Sequence, residues 1–90
     1  MTTQDIRRIG PAQYTTLRIL VQHDGCYEGK MALAAMVGPN GSTRFGGQTL
    51  DRCAWRGWLR FESSPDKRAT LVVLTDAGRQ VWDQLSGDAS

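Results

Sequence analysis

The sequence predicts a single α+β domain in which three helices are followed by a two-stranded hairpin and a C-terminal helix. Three observations predict this class. Apolar residues recur at helical spacing through the first half of the chain, residues 58–74 hold two strand-like runs around a charged turn, and another helical pattern follows directly. The 90 residues are enough for one compact core and too few for two.

The first helix is predicted to begin at Pro11 and to end before Gly25. Proline is favoured at the first helical position because the N–H group that it lacks has no intrahelical partner there, and glycine is favoured just past a helix end. Residues at steps of three and four form one face of a helix. We expect the buried face to consist of Tyr14, Leu17, Leu20 and Val21.

The second helix is predicted over KMALAAMVG, which is apolar almost all round and stops at the turn GPNGS. A third helix follows, and Ser42 or Thr43 can cap it. Steps of three and four predict an inward face of small and medium residues, and an outward face of polar ones. The inward residues are Gly46, Leu50, Cys53 and Gly57, and the outward ones are Arg44, Gln48 and Arg52.

Two strands and a final helix complete the domain. WLRFES alternates apolar and polar residues, TLVVL is rich in β-branched residues, and the turn SSPDKRA separates them. Because no apolar residue lies between Ser63 and Arg68, we expect a hairpin tip without packing interactions, mobile in the free protein. Thr75 is the predicted N-cap of the last helix. The inward stripe of that helix is predicted to be Gly78, Val81, Trp82 and Leu85.

The domain is predicted to span residues 11–85, with a flexible N-terminal arm at 1–10 and a frayed tail at 86–90. No apolar run approaches the roughly 18 residues that a membrane span needs, and the N-terminus lacks the apolar stretch of a secretory signal. We therefore expect a cytoplasmic protein with no membrane partner.

The cysteines predict neither a disulfide framework nor a metal site. Cys26 and Cys53 lack CxxC spacing and have His23 as the single histidine of the chain, so we expect both to be ordinary packing residues and no metal or cofactor to be bound. Catalysis is not indicated either, since GPNGS lacks the Lys-Ser/Thr of a phosphate loop and His23 with Asp24 reads as a helix end. We expect the protein not to be an enzyme.

Positive charge is concentrated in the middle of the chain. Residues 42–68 hold six basic and three acidic residues, a net charge of +3, whereas the remainder carries −1. Two helices joined by a tight, glycine-containing turn, with a hairpin behind them, are typical of a winged helix-turn-helix. The third helix would enter a DNA major groove, which is about 12 Å wide, and the charged tip would lie along the nucleic acid.

The same residues resemble a known family. The runs LAAMVG at 33–38, LDRCAWRGWLRF at 50–61, PDKRA at 65–69 and LTDAG at 74–78 are similar to the winged helix-turn-helix of the multiple-antibiotic-resistance regulator (MarR) family. In that family a glycine ends the recognition helix, an Asp-x-Arg lies in the wing and Leu-Thr-x-x-Gly starts the next helix. Gly57, the Asp66–Arg68 segment and the Leu74–Gly78 segment match this order. The resemblance covers about residues 14–85.

The resemblance implies sequence-specific binding of double-stranded DNA by a small transcriptional regulator. Arg68 would reach a minor groove, and Asp66 would hold the wing or its arginine in position. Family members usually carry further helices that build a dimer, so this chain is expected to form a weak homodimer that DNA stabilises. The predicted DNA-binding residues are Thr43, Arg44, Gln48, Arg52, Lys67 and Arg68, with Asp66 as the wing-positioning residue.

Two other functions use the same features. A winged helix is a scaffold that also occurs in protein–protein interaction modules, where the basic face or the Trp82 and Leu85 helix would dock on a protein. Single-stranded nucleic acid could instead stack on Trp55 and Phe45 between the arginines. In either case Trp58 is the tryptophan expected in the core, and Trp55 is expected to be exposed.

Overall fold

The computed structural model describes residues 9–87, with side-chain burial described up to residue 85. The predicted arm at 1–10 therefore lies outside the described residues except for its last two, and so do residues 88–90 of the predicted tail. The elements are α1 (Pro11–Gln22), β1 (Cys26–Glu28), α2 (Lys30–Val37), a 3-10 turn (Pro39–Gly41), α3 (Thr43–Trp55), β2 (Leu59–Ser63), β3 (Thr70–Leu74) and α4 (Asp76–Gly87).

The predicted α+β winged helix-turn-helix is confirmed, with one strand more than expected. The CYEG segment, predicted to be a connection, contains β1, which pairs antiparallel with β3 so that the sheet order is β1-β3-β2. A run of three residues is too short to show strand alternation. This strand exists because its backbone pairs with β3, and that contact is not visible in the local sequence.

The two cysteines differ in their surroundings. Cys53 is fully buried, as expected, but Cys26 is exposed on the edge strand β1, so its predicted packing role is wrong. Burial raises the pKa of the Cys53 thiol to about 11, and the nearby charge of Arg56 lowers it only in part. Cys53 therefore stays protonated at neutral pH and serves as an apolar core residue.

The core lies between the helices and one face of the sheet. Its fully buried side chains come from every layer: Leu17 and Leu20 from α1, Leu33 from α2, Leu50 from α3 and Val72 from β3. The stripe predicted for α4 is confirmed, because Gly78 is buried and its three apolar partners pack against this core. Tyr14, predicted to face inward, is 41% exposed and packs its ring at 5.2 Å from the ring of Trp82.

The crossing of α2 and α3 depends on a glycine. A Cβ atom built on Gly46 would lie 1.7 Å from the carbonyl oxygen of Ala34, so the two helix backbones touch at this point. Gly47, the next residue, would place its Cβ in open space. The first glycine therefore fixes the angle and distance of the helix-turn-helix, whereas the second has no packing reason to lack a side chain.

Gly57 follows the end of α3, so the prediction that it belongs to the inward face of this helix is wrong. Its φ of +82° is left-handed, which glycine adopts without strain. The amide groups of Gly57 and Trp58 donate to the carbonyl oxygens of Ala54 and Cys53, at 2.9 and 3.0 Å. This pair of hydrogen bonds is a Schellman motif, which satisfies the last carbonyl groups of the helix and turns the chain into β2.

The start of α4 is joined to that same turn. The Thr75 hydroxyl accepts a hydrogen bond from the Gly78 amide at 3.1 Å, as predicted for an N-cap, and donates to the carbonyl oxygen of Gly57. The Thr75 amide donates to the carbonyl oxygen of Trp58 at 3.0 Å. A Cβ atom on Gly78 would lie 2.0 Å from that Trp58 oxygen. Thr75 and Gly78 therefore hold α4 against the end of α3.

Between residues 9 and 87, no helix is long and apolar enough to cross a membrane.

Candidate nucleic-acid interface

The N-terminus of α3 is capped by Ser42, whose side-chain oxygen accepts a hydrogen bond from the Phe45 amide at 3.3 Å. Of the two capping candidates in the sequence, Ser42 is therefore the cap. Thr43 becomes the first helical residue, and its side chain is exposed. In a helix-turn-helix the N-terminal residues of the second helix are the ones that contact base edges, so the position of Thr43 is suited to such contact.

The outward face of α3 is polar and exposed as predicted. Arg44, Gln48 and Arg52 are all exposed, at successive steps of four residues. At 100° per residue these steps keep the three side chains within about 80° of one another around the helix axis. They form one stripe that begins in the first turn of α3 and runs toward its end.

The basic residues fall into two groups, and the side chains of the first group contact an acidic or aromatic side chain of the protein. Lys30 pairs with Asp51 at 3.4 Å, and Lys30 also lies 4.2 Å from the centre of the Phe61 ring. Arg56 lies 4.4 Å from the centre of the Trp58 ring. Two further arginines pair with carboxylates on their own elements, namely Arg60 with Glu62 at 2.6 Å and Arg79 with Asp83 at 3.7 Å.

The second group forms no ion pair within the described part of the chain. Its members include all four cations that the sequence predicted for DNA contact, and every one is exposed: Arg44, Arg52, Lys67 and Arg68. An exposed, unpaired guanidinium or ammonium group can bind phosphate oxygens without first breaking an internal contact. Charge counting placed Arg56 and Arg60 in the same basic segment, but both also have structural contacts.

The predicted wing is the hairpin of β2 and β3, in register from Leu59 with Leu74 to Ser63 with Thr70. Its tip lacks apolar packing, as predicted, but it contains hydrogen bonds that the sequence did not predict. Ser64 is only 3% exposed, its amide donates to the Ala69 carbonyl at 2.9 Å, and its carbonyl accepts from the Lys67 amide at 2.8 Å. Hydrogen bonds thus replace the missing apolar packing.

Asp66 contributes to the same turn. One of its carboxylate oxygens accepts from the Ser64 hydroxyl at 2.6 Å and from the Arg68 amide at 3.1 Å. These two hydrogen bonds, the Ser64 one first, hold the pKa of Asp66 below its ordinary value. The residue that the resemblance assigned to wing positioning therefore contacts the backbone of Arg68, and no ion pair joins it to the Arg68 side chain among the described residues.

Lys67 has a left-handed backbone, with a φ of +60°, at the point where the chain reverses. Few non-glycine residues adopt this conformation. Lys67 and Arg68 are exposed at the tip, and no hydrogen bond between described residues links them to the stripe on α3. The candidate site is thus made of two separate parts, one on α3 and one on the wing.

Ser64 is the residue of this region that sequence reasoning missed. Its hydroxyl is the centre of the turn, since it donates to Asp66 and accepts from the Ala69 amide at 3.2 Å. Serine and aspartate side chains often form hydrogen bonds with nearby backbone groups in turns. That signal was present in SSPDKRA, but the neighbouring Ser63 carries the same side chain and is exposed.

The tryptophans lie where the sequence predicted. Trp58 is 5% exposed and belongs to the core, whereas Trp55 is 89% exposed near the end of α3. Phe45, at the other end of the helix, is 53% exposed. Ten residues of helix separate these two aromatic side chains by about 15 Å, so they cannot form one stacking surface for adjacent bases.

The chain is similar to several solved structures, some of which are transcriptional regulators. It matches RV1404 from Mycobacterium tuberculosis with 27% identity and a TM-score of 0.78, covering 94% of this chain and 56% of that one. A mutant of MarR from E. coli, complexed with operator DNA, matches with 26% identity and a TM-score of 0.69, covering 86% and 53%. Sco3205 from Streptomyces coelicolor, a MarR family transcriptional regulator in complex with DNA, matches with 22% identity and a TM-score of 0.76, covering 96% and 53%.

The chain has a MarR-like winged helix-turn-helix fold. The predicted resemblance is thereby confirmed. No protein-family model matches the sequence, and a search of curated proteins finds no match. This chain spans about half the length of the solved structures it matches, so the similarity is to about half of each of those chains.

Proposed function

We propose that this MarR-like chain binds double-stranded DNA sequence-specifically and acts in transcriptional regulation, in the cytoplasm and without catalysis. In this proposal α3 enters the major groove, and the wing contacts the minor groove or the phosphate backbone. The observation that carries it is that Arg44, Arg52, Lys67 and Arg68 are all exposed and without an ion pair in the described structure. The DNA complexes among the similar structures support it.

The wing provides the direct test of this proposal. We expect a double variant, Lys67→Asn with Arg68→Gln, to lower the slope of log affinity against log salt by up to about two units, because each lost phosphate contact removes about one. Asparagine is chosen because it tolerates the left-handed backbone at position 67. Binding is measured by fluorescence anisotropy with a random duplex from low to high salt.

A matched control removes a positive charge elsewhere. Arg79→Gln on α4 disrupts only an exposed ion pair, so the salt slope should remain that of the unmodified protein. A folded double variant with an unchanged slope would show that the wing does not touch DNA. A smaller drop than two units is expected if Arg68 lies in a groove.

Assembly follows from how α4 is packed. Val81, Trp82 and Leu85 pack against the core of their own chain, so this stripe offers little apolar surface to a partner. We therefore expect a monomer–dimer equilibrium in solution, with pairing stabilised by a two-fold DNA site. Sedimentation velocity with and without a duplex checks this, and a tight dimer at nanomolar concentration without DNA would contradict it.

Trp55 favours a protein-interaction module as the second candidate. A tryptophan that is 89% exposed is unusual, because removing such a large apolar side chain from water lowers the free energy. Under this alternative, the double wing variant would keep whatever DNA affinity exists, and Trp55→Ala would abolish binding to a protein. The salt titration above therefore separates the two functions.

A further inference from the structure

The wing tip contains a buried polar residue that the proposed function does not yet use. Ser64 is 3% exposed, while Ser63 and Pro65 on either side of it are exposed. Its backbone amide, backbone carbonyl and hydroxyl groups all have partners within the turn. The backbone groups form two hydrogen bonds, and the hydroxyl forms two more. A polar side chain is buried at little cost only when it is hydrogen-bonded in this way.

The hydrogen bonds of Ser64 reach both sides of the chain reversal. Its hydroxyl donates to Asp66 before the reversal at Lys67, and it accepts from the Ala69 amide after the reversal. Asp66 in turn accepts from the Arg68 amide. The backbone on both sides of Lys67 and Arg68 is therefore tied to a single hydroxyl group, either directly or through one carboxylate.

We propose that Ser64 is a positioning residue for DNA binding, whose hydroxyl group fixes the turn that presents Lys67 and Arg68 to the nucleic acid. This inference rests on the proposed function. The resemblance assigned wing positioning to Asp66 alone. In our inference the Ser64 hydroxyl orients the Asp66 carboxylate, so the position of the carboxylate depends on Ser64. A turn ordered before binding loses less conformational entropy when it meets DNA, so the order of the tip contributes to affinity.

Three variants separate this role from a general effect on folding. Ser64→Ala removes the hydroxyl, Ser64→Thr retains it, and Ser63→Ala removes the same group from an exposed neighbour. Each is compared in the free protein by the exchange rates of the Lys67 and Arg68 amide hydrogens and by the pKa of Asp66 from NMR titration. We expect Ser64→Ala to speed exchange and to raise the pKa of Asp66 toward 3.8, its ordinary value.

The direction of the pH effect follows from that lowered pKa. A carboxylate with a folded-state pKa below the unfolded value stabilises the turn above the unfolded pKa, and this contribution is lost as the pH falls through the folded pKa. Lys67 and Arg68 directly follow Asp66 in the turn, yet neither side chain forms an ion pair with it in the described structure. The acid-dependent part of the tip's order should therefore become smaller in Ser64→Ala, where only the Arg68 amide still donates to Asp66, and should persist in full in Ser63→Ala.

DNA binding provides the second readout. Ser64→Ala should weaken binding on the order of fivefold, the equivalent of one hydrogen bond, with Ser64→Thr recovering most of the loss. In the background of Lys67→Asn with Arg68→Gln, the same serine change should cost less than about twofold, because the side chains that it positions are gone. Equal losses in the two backgrounds would show that Ser64 acts on folding alone and would overturn the inference.

The free-protein measurements distinguish failure of this inference from failure of the proposed function. If Ser64→Ala leaves both the amide exchange and the Asp66 pKa unchanged, Ser64 does not organise the tip, whatever the DNA affinity. If the unmodified protein binds no duplex at any salt concentration, the proposed function is wrong, and the role of Ser64 in DNA binding falls with it.

Discussion

Replacing Gly46 with alanine should destabilise the protein by about 3 kcal/mol or more, because a Cβ atom there meets the backbone of α2. The clash is with the Ala34 carbonyl oxygen, at 1.7 Å, which no rotamer change can relieve. The helices α2 and α3 would have to move apart, and the packing of Leu33 and Leu50 would loosen with them. For a domain of this size, the melting temperature should fall by roughly 10 °C or more.

Gly47→Ala is the matched control for this change. Its Cβ atom meets nothing within 4 Å, and no left-handed φ prevents the substitution. Alanine is favoured over glycine in a helix interior by up to about 1 kcal/mol, so Gly47→Ala should stabilise the protein. Thermal and urea unfolding of both variants checks the pair. Similar changes in stability at the two positions would show that the helices do not cross at Gly46.

The second large effect concerns sequence recognition by α3. We expect Gln48→Ala and Arg52→Ala each to weaken binding to a preferred DNA site by about 1 to 3 kcal/mol, the value of a bidentate base contact, and to weaken binding to random DNA far less. Both side chains are exposed on the outward stripe and lie away from the buried Leu50 and Cys53. Selection from a random duplex library with the unmodified protein supplies the preferred site.

Controls for this prediction exist within the chain. Gln80→Ala and Arg79→Ala remove the same side chains from exposed positions on α4 and should leave the ratio of specific to random binding unchanged. Arg52→Lys keeps the charge but loses the planar fork that two hydrogen bonds to a base require. It should therefore lose specificity while keeping affinity for random DNA. Equal losses on both kinds of DNA in the alanine variants would remove α3 from the base-reading role.

The elements with long, strong patterns could be predicted from sequence, and those that depend on tertiary contact could not. The stripe from Gly78 to Leu85 in α4 and the β-branched run of β3 follow from spacing and residue type alone. The strand β1 needed β3 as a partner. Gly57 fell at a helical step from Cys53, yet its left-handed φ ends α3, because spacing does not show where a helix stops.

The candidate site was predictable in composition more than in geometry. Counting charges found the basic segment, but it did not separate Arg60, paired with Glu62, from Arg52, which forms no ion pair among the residues described. The buried hydroxyl of Ser64 could not be distinguished from the exposed one of Ser63, since the two adjacent serines differ only in the direction of their side chains. Such differences depend on the folded backbone.

Position 67 is subject to two separate requirements, one from the backbone conformation and one from the proposed contact with nucleic acid. The left-handed backbone at this position, with its φ of +60°, is adopted more readily by glycine or asparagine than by lysine. A population of variants chosen for folding alone would therefore drift toward those two residues at position 67. Under our proposal, a population selected for binding nucleic acid would retain lysine or arginine at position 67 despite the backbone strain. The residues accepted at this position therefore show whether selection acts mainly on folding or on binding.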